Sequence, residues 1–128
     1  MTKHINIARF TLGLMWIYQG LVPKLFTIAP LEWQLSSSIG LSADATFWFI
    51  KLAGAGEVIF GLLLIKYYQS KPLLMLNILV LAGLLLVSAV LQPSLLVEAF
   101  NPVTTNIPCI ALGVYLFSMA TTKASLQQ

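Results

Sequence analysis

Charged residues are scarce in this chain of 128 residues, which has only seven basic and four acidic side chains. They make up 9% of the sequence, whereas soluble domains carry about 25%. So few charges cannot cover the surface of a soluble domain, and the mean hydropathy of +0.90 indicates lipid as the solvent. The sparse basic residues also do not form the clustered patches typical of nucleic-acid-binding proteins, so we expect no nucleic-acid partner.

Cysteine and histidine occur once each, as Cys109 and His4. A single cysteine excludes an intrachain disulfide and a Cys-x-x-Cys redox pair. One histidine cannot form a bis-histidine haem site, and the scattered acids add no recognisable metal-binding pattern. Phosphate-loop, dinucleotide and nucleophile-elbow motifs are also lacking. We therefore predict no catalytic residue, no metal and no cofactor of its own, and a reduced, buried thiol at Cys109.

Long apolar segments are what the chain does have, and there are four of them. A helix needs roughly 20 residues to cross about 30 Å of hydrocarbon. The segments do not alternate as the strands of a membrane barrel would. They predict an all-α, four-helix transmembrane bundle in one domain over residues 1–128, with the first segment retained as an anchor and not cleaved as a signal peptide. The predicted spans are residues 5–23, 47–67, 73–92 and 104–122.

Charges in the connections predict the orientation. With four spans, both termini and the second connection share one side, and that side carries basic residues without any acid: Lys3, Arg9, Lys66, Lys71 and Lys123. By the positive-inside rule, both termini are cytoplasmic. In the first outer connection Leu31, Leu35 and Ile39 recur every four residues. This spacing fits either a short helix at the membrane interface or an ordered loop.

Ionisable and polar residues within spans are costly and usually face the bundle interior. Arg9, Glu57 and Asn77 each lie on a helix face shared with small or polar residues, so we expect them to meet inside the bundle. In the competing interpretation Arg9 extends to the headgroups and makes no pair. A second polar cluster is expected at the outer end, formed by Gln19, Lys24, Lys51, Glu98, Asn101 and Asn106. Ser42 is the expected cap of the second span and Asn106 of the fourth.

Three stretches resemble the DoxX-like family of small four-helix membrane proteins. They are Arg9 followed by Trp16–Lys24, then Gly54-x-x-Glu57-x-x-x-Gly61, and Asn101-Pro102-x-x-x-Asn106. The resemblance implies a multi-pass protein of the bacterial inner membrane. Relatives include subunits linked to quinone-reducing sulfur oxidation and to membrane oxidoreductase assemblies, and related families include receptors or chaperones for other membrane proteins.

Two functions remain open at this point. One is a non-catalytic subunit or scaffold of a membrane complex, for example a redox- or quinone-linked one, with a membrane or periplasmic protein as partner. The other is a unit that handles a small molecule, a quinone or protons at an Arg9–Glu57 interior site. A bound quinone or lipid between the helices would favour the second function. The sequence does not indicate the oligomeric state.

The orientation can be tested by cysteine-accessibility labelling at Ser37 and Gln127. Because these positions lie on opposite sides of the predicted four-span topology, we expect Ser37 to react from outside and Gln127 only from the cytoplasmic side. Labelling of both positions from the same side would refute the topology.

Overall fold

The computed structural model describes residues 2–126, and this part of the chain is helical without strands, with 86% of residues in helices. Gln127, one of the two labelling positions, lies outside the described residues. The helices are α1 (Thr2–Gly20), α2 (Pro30–Ser37), α3 (Ala43–Lys66), α4 (Lys71–Leu91) and α5 (Pro102–Ser125). A π-helical segment, Leu21–Phe26, continues α1, and a 3-10 helix, Pro93–Val97, follows α4.

Caps explain where two of the long helices begin. The Ser42 hydroxyl accepts a hydrogen bond from the backbone N–H of Ala45 at 3.3 Å, so Ser42 caps α3 as expected. The prediction for α5 was wrong, because Asn101 and not Asn106 is its cap. The Asn101 side chain accepts from the N–H of Thr104 at 3.1 Å, and Pro102 occupies the first turn, where its missing N–H costs no hydrogen bond.

Three helices, α3, α4 and α5, are long and apolar enough to cross a membrane. The helix over Thr2–Phe26 is long and apolar enough for a span only when it is combined with α2. An 86° bend separates the two. Three charged residues, Lys3, Arg9 and Lys24, lower the hydropathy of this first helix. The described residues therefore contain three to four candidate membrane spans.

The long helices associate as two pairs, α1 with α3 and α4 with α5, and the pairs meet where α1 packs on α5. Buried apolar side chains fill the space between them. The largest members of this cluster are Leu12, Trp16, Leu64, Leu74, Leu81 and Leu116. Cys109 is buried in the same cluster as a free thiol, which confirms the expectation for that residue.

Glycines allow α1 and α3 to approach each other closely. A Cβ atom at Gly13 would lie 2.8 Å from the carbonyl oxygen of Gly61, and one at Gly54 would lie 2.8 Å from that of Gly20. The pairs Gly13–Gly61 and Gly20–Gly54 run in opposite chain directions, so the two helices are antiparallel. The glycine-bearing faces thus lie inside, as their spacing predicts.

Helix α2 closes one end of the bundle. Its presence confirms a helix in the first connection, and it packs against α3. The side-chain amide of Gln34 donates to that of Gln92, just after α4, at 2.9 Å. We call this end of the molecule the α2 end. The opposite end, with the start of α1, the α3–α4 turn and the end of α5, is the terminal end.

Alanine substitutions test the glycine contact. In Gly61→Ala the new methyl group would lie 2.5 Å from the Gly13 carbonyl oxygen. We expect a loss of about 1–3 kcal/mol, as for other overpacked sites, measured as thermal unfolding in detergent. Gly56→Ala on the same helix is the matched control, since its methyl group meets nothing within 4 Å. The control should be neutral or stabilised by up to about 1 kcal/mol. Equal destabilisation of both variants would contradict the packing.

Candidate functional site

A buried lysine joins three separate elements at the α2 end. The Lys24 ammonium lies 2.8 Å from both carboxylate oxygens of Glu57 and 3.3 Å from one oxygen of Glu32. Lys24 belongs to the π-helical segment, Glu57 to α3 and Glu32 to α2. These three residues form the Lys24 cluster. Its ammonium group ties the first helix, α2 and α3 together, and each charge has an opposite charge in contact.

The sequence around Lys24 explains how its side chain reaches Glu57. A Cβ atom at Gly54 would lie 2.8 Å from the Cβ of Lys24, so the lysine stem crosses α3 where that helix has no side chain. Glu57 follows Gly54 by three residues and is therefore on the same side of α3. Gly54-x-x-Glu57 thus supplies both the space for the lysine and its partner.

Side-chain direction makes Lys24 the partner of Glu57, and the predicted Arg9–Glu57 pair was wrong. Helical side chains tilt toward the N-terminus of their own helix. Because α1 and α3 are antiparallel, the Lys24 and Glu57 side chains tilt toward each other, whereas that of Arg9 tilts away from Glu57. The Arg9 guanidinium instead lies over two rings, 4.5 Å from the centre of Tyr68 and 4.8 Å from that of Phe10.

Asn77 does not join the charged residues either. It is fully buried and accepts a hydrogen bond from the indole N–H of Trp16 at 2.8 Å, which links α4 to α1. Across the α4–α5 contact, a Cβ atom at Gly113 would lie 2.5 Å from the amide nitrogen of Asn77. The three predicted interior residues therefore occupy three different environments, and the structure does not bring them together.

The predicted outer cluster divides into two groups. Lys51 stays near Lys24, because its ammonium donates to the carbonyl oxygen of Leu25 at 2.7 Å. Asn101, Asn106 and Glu98 belong to the connection and first turns of α5. There the Asn101 side chain donates to the Glu98 carbonyl at 2.8 Å, and Asn106 donates to the Leu81 carbonyl at 3.1 Å.

The remaining member of that prediction, Gln19, is half-buried on α1. Glu32 is a member of the Lys24 cluster that was not predicted from the sequence. In the sequence, the charge of Glu32 was the only sign of a site residue. Its place beside Lys24 depends on the bend before α2. Within residues 2–126 no group of three His, Cys, Asp or Glu side chains could hold a metal ion.

The long apolar helices and the charges placed between them define a helical membrane protein. The family model of the DoxX-like family matches residues 13–114, which is most of the chain. The protein therefore belongs to the DoxX-like family. No curated protein and no solved structure matches the chain. The matched range includes the Lys24 cluster, both glycine pairs and the Trp16–Asn77 hydrogen bond.

A double-mutant cycle tests the pair of Lys24 and Glu57. Lys24→Met leaves the buried Glu57 charge uncompensated and should destabilise the protein by about 3–5 kcal/mol, whereas Glu57→Gln leaves Lys24 its longer contact with Glu32 and should cost less. The double variant should recover much of that loss. Thermal unfolding in detergent measures each value.

Arg9→Met supplies the control for this cycle. Arg9 lies on rings away from Glu57, so its effect should simply add to that of Glu57→Gln, as for independent sites. Additivity between Lys24→Met and Glu57→Gln, together with coupling between Arg9→Met and Glu57→Gln, would contradict the described geometry.

Proposed function

We propose that this protein is a four-span protein of the bacterial inner membrane, with cytoplasmic termini, that serves as a non-catalytic subunit or scaffold of a membrane complex. Charge supports the orientation. The terminal end carries five basic residues and no acid, whereas Glu32, Asp44 and Glu98 lie at the α2 end. The positive-inside rule then assigns the terminal end to the cytoplasm.

The scaffold role rests on one observation, the apolar surface at the α2 end. Phe100 is 88% exposed, Val97 is 86% exposed and Phe26 is 73% exposed. Val97 and Phe100 lie in the α4–α5 connection and Phe26 ends the π-helical segment that continues α1, so all three are at the ends of helices and not in the middle of a span. Exposed apolar side chains at such positions are candidate contacts for a protein partner, and aromatic residues are enriched at the centres of protein interfaces.

The interior is consistent with a structural role. The ammonium group of Lys24 contacts carboxylates on two elements, and the Trp16–Asn77 hydrogen bond joins the two helix pairs. These polar groups stabilise the bundle by contacting one another. The lone Cys109 supplies no redox pair, so electron transfer in a redox complex would depend on the partner or on a bound quinone.

A second function is favoured by the position of the Lys24 cluster. Its charges lie beside apolar helices, and Lys24 belongs to a π-helical segment. Such segments are frequent at functional sites. The side chains of Lys24 and Glu57 remain 10% and 15% exposed. A quinone carbonyl, another small polar ligand or a proton would find a donor and an acceptor there. Native mass spectrometry from mild detergent distinguishes this function, because a quinone adduct that disappears in Lys24→Met would support it.

Site-specific photo-crosslinking in membranes tests the scaffold function. A photoreactive residue at position 100 should give a defined adduct with one protein. The control at Leu79 in α4, which is 61% exposed and lies mid-span, should give lipid adducts. In addition, Phe100→Ser should weaken the association at least about 30-fold, since truncating a central aromatic anchor costs roughly 2 kcal/mol or more. Lipid adducts alone at both positions would contradict a partner at the α2 end.

A further inference from the structure

A groove with two lysines lies at the terminal end, outside the Lys24 cluster. It separates the α3–α4 turn and the start of α4 from the last turns of α5, and its volume is about 510 Å³. The residues that line it are Gln69, Lys71, Pro72, Ala120, Lys123 and Ala124. Three of these residues, Pro72, Ala120 and Ala124, are small or apolar, and both charged ones are positive.

Lys123 contacts another lining residue of the groove, Gln69. The Lys123 ammonium lies 3.5 Å from the side-chain oxygen of Gln69, and the Gln69 amide donates to the Tyr68 hydroxyl at 2.7 Å. A neutral amide accepts only one of the ammonium N–H groups, so Lys123 keeps donors for a further acceptor. The contact positions the charge without neutralising it.

Within residues 2–126 no Asp or Glu side chain forms an ion pair with either lysine of the groove. Glu32, Asp44 and Glu98 lie at the α2 end, and Glu57 is paired with Lys24. Lys71 is also the first residue of α4, where the helix dipole adds partial positive charge. The groove is therefore complementary to a compact anion.

We propose that this groove binds the headgroup of an anionic phospholipid such as phosphatidylglycerol, with Lys71 and Lys123 on either side of its phosphate. Basic pockets between spans on the cytoplasmic side are suited to such headgroups. The small side chains of Ala120 and Ala124 leave room for the glycerol backbone beside the phosphate. This assignment rests on the proposed membrane orientation, which places the terminal end at the cytoplasmic headgroup layer.

Lipid titration of the purified protein in detergent, followed by native mass spectrometry, tests the groove. Phosphatidylglycerol should bind at least about tenfold more tightly than phosphatidylcholine. The double variant Lys71→Gln/Lys123→Gln should lose about 30-fold in affinity, which corresponds to about 1 kcal/mol for each lysine. Lys71→Arg/Lys123→Arg keeps both charges and should retain binding, which shows that the groove itself is intact.

Lys3→Gln/Lys66→Gln is the matched control, because it removes the same charge from the same end outside the groove. This control should change the affinity less than about threefold. An equal loss of lipid affinity in both double variants would overturn the proposal, because it would indicate a general electrostatic attraction of the lipid to the basic end and not binding in the groove. Competition by inorganic phosphate at the concentration of the lipid would overturn it in favour of a free-anion site. A photoreactive residue at position 124 that crosslinks to a protein and not to lipid would also overturn the proposal, because the groove would then bind a segment of a partner protein.

The assay separates this proposal from the proposed function. It uses the isolated protein and needs neither a partner nor a defined orientation. Failure of the crosslink at position 100 would therefore leave lipid binding in the groove unchanged. Loss of lipid selectivity would leave the partner at the α2 end untouched.

Discussion

The close antiparallel approach of α1 and α3 is the constraint on which the other interactions depend. Four glycines, Gly13 and Gly20 on one helix and Gly54 and Gly61 on the other, let the backbones meet where any larger side chain would collide with a carbonyl group. At that distance the stem of Lys24 lies across α3 and its ammonium reaches Glu57. The same approach buries Trp16, whose indole then binds the amide of Asn77. Lipid offers no hydrophobic force between helices, so close packing and polar contacts provide the stabilisation.

Much of the architecture could be predicted because it depends on local pattern. Apolar runs revealed the long helices, and the spacing of glycines identified the faces that pack. The cap at Ser42 followed from residue type, whereas Asn101 was missed because Asn106 also precedes a proline, Pro108. The four spans remain a prediction from the apolar segments and their orientation a prediction from the loop charges, and labelling is the direct test of both.

The pairing of charges could not be predicted in the same way. Helix periodicity shows which residues share a face, but Arg9 and Lys24 share one and both are candidates for Glu57. The choice depends on the antiparallel register of α1 and α3 and on the tilt of each side chain toward its own N-terminus. Glu32 was missed for a related reason, since only the bend between Phe26 and Pro30 brings α2 back over the Lys24 cluster. Asn77 was correctly assigned to the interior, but its partner is an indole and not a charge.

The Lys24 cluster also has a consequence for how the chain is made. Its three members, Lys24, Glu32 and Glu57, all belong to the first half of the sequence, and the glycines that bring them together end at Gly61. The N-terminal helix pair and α2 therefore contain all the partners of these buried charges and can neutralise them without α4 or α5. The pair α4 and α5 buries no charge of its own, and Asn77 completes the Trp16 hydrogen bond when α4 arrives. The order of polar groups along the chain thus matches the order in which their partners become available during membrane insertion.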